Sequence, residues 1–315
     1  MSTHLELTHF SRANQTKFDS MTIHIPVLMD EVLEGLQPEG SKVIVDGTLG
    51  GAGHTAAILE RLGPEGRVIS LDRDLDAVEA AAAKIDDPRF TPIHGNYADF
   101  PEHLKEMGID TVDGVLLDLG YSSDQLADED RGFSFQNEGE LDLRFNRLEG
   151  EPAWRLVNRL SEKHLADLIY NFGEERLSRR IARKIVAVRQ AEPIKTSQQL
   201  ARVVRSCVPR SKGHSIDPAT RTFQAVRIAV NDELKFLKET MNRLPQFLNL
   251  EGRAAIISFH SLEDRIVKQS INASDQFEPI NRKPITASDA ELDANSRSRS
   301  AKLRVAKRIQ AIPMR

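Results

Sequence analysis

An α/β fold built on a parallel sheet, with an all-α module inserted into it, is predicted from three features of the sequence. Apolar runs of strand length alternate with helical patterns through the first 120 residues. After Asp118 that alternation stops, and helical spacing dominates from Trp154 to about Cys207. A strand pattern then returns at Arg253–Phe259. The β-α-β-α order implies parallel strands with helices on both faces.

The expected strands are Lys42–Asp46, Arg67–Asp72, Phe90–His94 and Val112–Asp118. Between them lie helical patterns at His54–Leu62, closed by Gly63-Pro64, at the Ala-rich Leu75–Ile85, and at Phe100–Met107. Ser122–Arg147 reads as an extended loop region. Three helices follow at Ser161–Asn171, Glu174–Gln190 and Thr196–Cys207, then a loop over Val208–Pro218 and one longer helix from Pro218 to Leu244. Ser261 with Asp264 has the spacing of a capping box for a helix after the last strand. Ala287–Ser300 reads as a flexible loop, and residues 1–21 as a flexible N-terminal extension.

The 315 residues suffice for one large or two ordinary domains, at 40% hydrophobic and 29% charged composition. No apolar run approaches the ~20 residues of a membrane helix, and the first 20 residues lack the apolar stretch of a signal peptide. A single cysteine, Cys207, excludes an intrachain disulfide and suits a reducing cytoplasm. Its expected role is helix packing.

The densest glycine cluster, V-D-G-T-L-G-G-A-G-H-T (Val45–Thr55), directly follows the first strand. Gly51–Ala56 fits G-x-G-x-x-[GA], the turn that lets a nucleotide approach the backbone between strand and helix. Alone the match also fits a plain tight turn. Asp72, 21 positions after Gly51 at the end of the second strand, adds the acid that meets ribose hydroxyls in such sites. Its other reading is a helix N-cap.

Ligands in parallel sheets sit at the carboxyl ends of the strands. Gly47–His54, Asp72, Asn96-Tyr97 and Asp118-Leu119-Gly120 should therefore share one crevice. Asp46, Asp72, Asp74, Asp99 and Asp118 would make it acidic, and its glycine turn holds no basic residue. That charge suits the sulfonium and amino group of S-adenosylmethionine (SAM) better than the pyrophosphate of NAD. Net charge is −4, yet Arg176–Lys212 carries eleven Lys/Arg against one acid, and seven more follow Asp293 with no acid. A basic patch on an acidic chain is the footprint of a phosphate-backbone partner. The methyl acceptor is then a nucleic-acid base. An exocyclic amine is a weak nucleophile and gains from an acceptor for its N–H, for which Asp118 is the candidate. His260, Glu263 and Asp264 have metal-ligand chemistry, but Ser261–Asp264 capping is the simpler reading and no metal is expected.

Ten motifs carry a resemblance to a known family. They include H-I-P-V-L-M-D-E-V (His24–Val32), the glycine turn, L-D-R-D, L-L-D-L-G-Y-S-S-D-Q-L (Leu116–Leu126), R-G-F-S-F (Arg131–Phe135) and L-D-L-R-F (Leu141–Phe145). F-G-E-E-R (Phe172–Arg176), P-A-T-R-T-F-Q-A-V-R-I-A-V-N-D-E-L (Pro218–Leu234), I-S-F-H-S-L-E-D-R-I-V-K (Ile257–Lys268) and S-R-S-A-K-L-R (Ser298–Arg304) complete the set. In this order, over residues 22 to 308, the chain resembles the bacterial 16S ribosomal RNA (cytosine-N4)-methyltransferase family.

The resemblance implies a class I SAM-dependent methyltransferase, a Rossmann-like sheet domain with an inserted all-α domain. It implies methylation of the N4 amine of a cytidine in the decoding region of 16S rRNA, in the small ribosomal subunit. The SAM contacts it implies are Ala52, Gly53, His54, Asp72, Tyr97, Asp118 and Gln125, with Tyr97 beside the adenine. The expected domains are 22–130 with 223–315 for SAM and 131–222 for substrate recognition, no membrane partner being expected and a homodimer being allowed. Phe133, Phe135 and Trp154 are candidates for stacking on an unpaired base, or for core packing. Departures from the family pattern are Tyr97 for Phe, Tyr121 for a small residue and Asp124 for proline. Asp118 is followed by Leu-Gly rather than by the Pro-Pro-aromatic signature of amino-methyltransferases. Rival readings are an NAD-dependent oxidoreductase and a non-catalytic RNA-binding assembly factor.

Overall fold

The computed structural model describes residues 26–135, 138–208 and 217–309. The strands are β1 (Val43–Asp46), β2 (Arg67–Asp72), β3 (Phe90–His94), β4 (Val112–Asp118), β5 (Leu248–Ser258), β6 (Phe277–Pro279) and β7 (Lys302–Arg308), joined in one sheet of order β3-β2-β1-β4-β5-β7-β6. The first five strands in that order are parallel, and β7 runs antiparallel to β5 and β6. The strands are near-continuous apolar runs because both faces are covered. Alternate side chains serve opposite cores: Val68 and Leu116 face one, while Ile69, Val115 and Leu117 face the other. Pro92 is tolerated in β3 because that strand lies at the sheet edge.

Helices α1 (Met29–Leu36), α2 (Gly53–Arg61) and α3 (Leu75–Lys84) contribute Val32, Leu36, Ile58, Leu59 and Val78 to the first core. Helix α4 (Phe100–Glu106) contributes Phe100 and Leu104 to the second. The chain then leaves the sheet through α5 (Ser123–Ala127), α6 (Ala153–Arg159), α7 (Glu162–Gly173), α8 (Ser178–Arg189), α9 (Ser197–Cys207) and α10 (Thr220–Asn231). These helices close a third core of their own around Leu141, Leu165, Ile169, Ile181, Ile185 and Val204. Cys207 is buried in it. That core takes in Ala219, the N-cap of α10, and Phe223 and Val226 within it. Helices α11 (Glu233–Arg243) and α12 (Ser261–Ala273) return to the second core, and α13 (Asp289–Ala294) precedes β7.

Four sequence expectations need correction. The helix expected over Pro218–Leu244 is two, because Asp232 is left-handed (φ 52°) and separates α10 from α11. Asn231 uses that break: its side chain donates to the Leu143 carbonyl (2.7 Å) and accepts from Phe145 N–H (2.8 Å). The loop expected over Ser122–Arg147 contains α5, started by a capping box between Ser122 and Gln125, and a 3-10 turn at Glu129–Arg131. Ala287–Ser300 is ordered as α13 and a 3-10 turn. Helix α12 is capped by His260 with Glu263, not by Ser261 with Asp264. Ser261 instead donates to Glu174 of the helical module.

The basic tail is also different from its expectation. Lys302–Arg308 is an inner strand, and three of its four charges are paired within the fold. Arg304 and Lys302 pair with Asp264 (2.7 and 3.5 Å), and Lys307 pairs with Glu251 and Glu278. Arg308 is 1% exposed. Residues 1–21, Arg210, Lys212 and Arg315 lie outside the described residues.

Candidate active site

The carboxyl ends of β1, β2 and β4 open into a crevice of about 870 Å³, counted with its open mouth. Because β2 and β4 flank β1 on opposite sides, their connections leave in different directions and a gap forms at the strand ends. The glycine turn lines this gap. Gly47 N–H donates to Leu116 O and Leu49 N–H to Leu71 O, which stitches the turn to both neighbouring strands. Residues Gly50 (φ 47°) and Ala52 (φ 64°) are left-handed there. Gly53 serves another purpose: a Cβ on it would come within 2.2 Å of Pro26 Cγ, which packs over the turn.

Asp72 clamps the turn. Its Oδ2 accepts from Gly50 N–H (2.8 Å) and its Oδ1 from Asp74 N–H (2.9 Å). Burial outweighs those bonds, and the carboxyl is pushed up to about 6. Asp118, at the end of β4, has its N–H bound to Thr48 Oγ1 (2.6 Å). Its Oδ2 lies 3.8 Å from His54 Nδ1, while Oδ1 is buried without a hydrogen bond. Burial pushes Asp118 up to about 6, against the opposing pull of His54 and Arg297. His54 Nε2 is 3.0 Å from the Val27 carbonyl, so it donates there and Nδ1 faces Asp118.

Tyr97 lines the crevice at the end of β3, its phenol held well above the usual range by burial, then by Glu233 and Glu263. Gln125 also lines it, but its amide is engaged, accepting from Ser122 N–H and donating to Asp74 (2.8 Å). The structure thus brings Gly53, His54, Asp72, Tyr97, Asp118 and Gln125 to one crevice, with Ala52 buried directly behind.

Three of the five expected carboxylates are elsewhere. Asp46 is buried behind the turn, accepting from Thr48 and Thr55. Asp74 pairs with Arg131 (2.7 Å). Asp99 is exposed. Their places are taken by Glu233 and Glu263, with Arg73 and Arg297 also on the lining. Sequence reasoning weighed Glu263 only as a metal ligand and missed the other three, along with Arg131 and Arg227. Arg227 grips Glu233 through two hydrogen bonds (2.8 and 2.9 Å).

Arg131 is the structural pin between module and site. It is 2% exposed, binds Asp74 through both terminal nitrogens, and donates to the carbonyls of Arg144 and Phe145. Removing one partner of a buried ion pair leaves the other charge uncompensated. Arg131→Ala is therefore expected to destabilise the protein by roughly 3–5 kcal/mol, read from denaturant unfolding.

Glu233, His260 and Glu263 lie close enough to share an ion, their donor atoms falling within 4.8 Å of one another. Both Glu233 oxygens are already bound by the Arg227 guanidinium, whose charge opposes a cation. Asp264 turns away to Arg304 and Lys302. Phe133 stacks between Tyr121 and Phe145 (5.4 and 5.7 Å), Phe135 packs on Phe223, and Trp154 donates to Glu140.

SAM suits this donor set. It carries a ribose diol for Asp72 and a positive charge for the unbonded Oδ1 of Asp118, and the crevice lining presents Tyr97 for a purine. NAD would bring a pyrophosphate against Asp72 and Asp118.

A sequence profile described as the MraW methylase family matches residues 21–309. The chain is 46% identical over 307 residues to the Ribosomal RNA small subunit methyltransferase H of Geobacter sp. (strain M21), covering 91% of this chain and 98% of that protein. It is 47% identical over 300 residues to the protein of the same name from Rhodopirellula baltica, with 92% of each covered. With that of Deinococcus radiodurans the identity is 49% over 292 residues, covering 91% of this chain and 90% of that one.

Proposed function

The chain belongs to the MraW methylase family, and on that premise we propose how its crevice performs methyl transfer to ribosomal RNA. It is a SAM-dependent methyltransferase acting on the N4 amine of a cytidine in 16S rRNA. We place the target in the decoding region of the small subunit, as the family resemblance implies. The observation that carries the reading is the pairing of the left-handed turn, clamped by Asp72, with the buried and unbonded Oδ1 of Asp118.

When bound, SAM supplies an electrophilic methyl group on a positively charged sulfur. Asp72 takes the ribose hydroxyls while holding Gly50, so one carboxylate fixes both turn and ligand. Ala52, Gly53 and His54 present the start of α2 to the ligand, Tyr97 flanks the adenine, and Gln125 holds the far wall. Asp118, facing His54, lies by the ligand's positive charge. These residues act by positioning, since a methyl transfer requires acceptor, carbon and sulfur in line.

The rRNA rests on the helical module, which we extend from residue 131 to the break at Asp232. Arg176, Arg179, Arg180, Arg183, Lys184, Lys195 and Arg202 are exposed on it. The target base must leave its stack to reach the crevice, which favours an unpaired region. Among the described residues no helix is long and apolar enough to cross a membrane.

Calorimetric titration with SAM and, separately, with NADH tests the cofactor. The expected result is saturable SAM binding and none for NADH. Tight NADH binding without SAM binding would overturn the reading.

A further inference from the structure

A second cavity of about 1140 Å³, counted with its open mouth, adjoins the SAM crevice, and the two share Leu119, Gly120, Tyr121 and Arg297 as a common wall. Its apolar side is aromatic: Phe133, Phe135, Phe223 and Phe259. Its polar lining includes His260, Arg227, Gln224 and Ser296. His260 in turn touches Glu263, which lines the SAM crevice, at 3.1 Å. The polar boundary between the two spaces is therefore the His260–Glu263 pair.

We propose that this cavity holds the unstacked target cytosine and that Glu263, not Asp118, accepts the N4 proton. The inference rests on the methyl-transfer reading above.

Three observations carry it. First, the cavity offers what an unstacked pyrimidine needs, aromatic side chains for the ring and, on the side of the SAM crevice, the polar groups of His260 and Arg227. Second, the two Glu263 oxygens are not equivalent. Oε2 accepts from Phe259 N–H (2.9 Å) and His260 N–H (3.3 Å), whereas Oε1 meets His260 Nε2 alone. His260 Nε2 makes no hydrogen bond of good angle there, so neither atom is saturated. Third, burial pushes Glu263 up but His260, Arg227 and the Phe259 N–H outweigh it, so its carboxyl lies below the usual range. It is an ionised acceptor at neutral pH, whereas Asp118 faces His54 and is pushed up to about 6.

His260 Nδ1 accepts from Glu263 N–H (3.4 Å), so Nε2 is the ring's donor. The boundary thus holds one acceptor, Glu263 Oε1 on the side of the SAM crevice, beside one donor, His260 Nε2–H on the side of the second cavity. Cytosine presents the complement: an amine donor beside the N3 acceptor. Uracil presents O4 and N3–H, the reverse order. In the step, the N4 lone pair forms the new N–C bond as the methyl–sulfur bond breaks, the broken pair staying on sulfur. Glu263 Oε1 takes the proton that N4 loses.

Glu263→Gln is the decisive variant because it keeps the helix cap. Its amide oxygen must still accept from Phe259 and His260 N–H, which turns the NH2 group to the Oε1 position. That replaces the acceptor by a donor. Two readouts are needed: methyl transfer to small subunits that lack the modification, and binding of a short unpaired RNA carrying cytidine or uridine at the target position, without SAM. SAM affinity is measured alongside.

The wild type is expected to bind the cytidine RNA about tenfold more tightly than the uridine RNA. Glu263→Gln should abolish that preference, lower methyl transfer about 100-fold, and change the SAM Kd less than threefold. Phe223→Ala should raise the KM for RNA with kcat preserved, as loss of a ring-stacking wall predicts. If Glu263→Gln keeps both the transfer rate and the cytidine preference, the assignment is wrong. It is equally wrong if SAM affinity falls as far as the rate. If the wild-type protein itself transfers no methyl group, the functional reading fails instead.

Discussion

Asp72→Ala is expected to weaken SAM binding about 100-fold. In the proposed binding mode the carboxylate would make charge-assisted bonds to the ligand's ribose, each worth roughly 1.5–3 kcal/mol, and it also holds Gly50 in the turn (2.8 Å). Asp72→Asn should recover part of the affinity, because an amide oxygen still accepts from Gly50 N–H. Calorimetry on folded protein separates these outcomes, and an unchanged Kd would remove Asp72 from the site.

The same carboxyl gives the site a pH dependence of definite sign. Asp72 and Asp118 are each pushed up to about 6, chiefly by burial. Ligand contacts that require both ionised are lost as pH falls from 7.5 to 5, by about tenfold per group and roughly 100-fold together. The stability of the ligand-free protein responds the other way. A carboxyl whose folded value lies above its unfolded value of 3.8 is protonated first in the folded state. These two groups therefore stabilise the fold as pH drops from about 7 towards 4 and oppose it as pH rises. SAM affinity that stays flat from pH 7.5 to 5 would contradict the account.

The second large effect concerns RNA. Arg179, Arg180, Arg183 and Lys184 project from α8 into solvent, where Arg183 faces only the partly exposed Glu162 at 3.6 Å. Replacing all four with alanine should leave SAM binding intact. It should also reduce the salt slope of RNA binding by roughly 3, since each phosphate contact on single strands contributes about 0.7. The helix keeps Ile181, Ala182 and Ile185 in its core, so the fold should survive. An unchanged slope would move the RNA to another face.

What the sequence disclosed and what it hid follow from range of interaction. Strands β1 to β4 match their expected positions because each is a short apolar run closed by a polar residue, a signal that is local. The glycine turn and Asp72 were legible for the same reason. The profile and the relatives support the family resemblance, the methyltransferase activity and SAM as the cofactor. Hidden were contacts between residues far apart in sequence: Arg131 with Asp74, Asn231 with Leu143 and Arg304 with Asp264. Arg304 and Arg308 read as surface charge until β7 is seen paired on both sides. The break after α10 did leave a local trace, since Asn231-Asp232 is a pair that tolerates left-handed backbone. Charge counting overstated the acidity of the crevice, because Asp46 and Asp74 fall beside it and are spent on Thr55 and Arg131.

The central claim is methyl transfer to one cytidine amine. Small ribosomal subunits from cells lacking this protein would be incubated with the purified enzyme and methyl-labelled SAM, and the rRNA digested and analysed by mass spectrometry. The account predicts label in N4-methylcytidine at a single decoding-region position. Label in another nucleoside, or none despite demonstrated SAM binding, would contradict it.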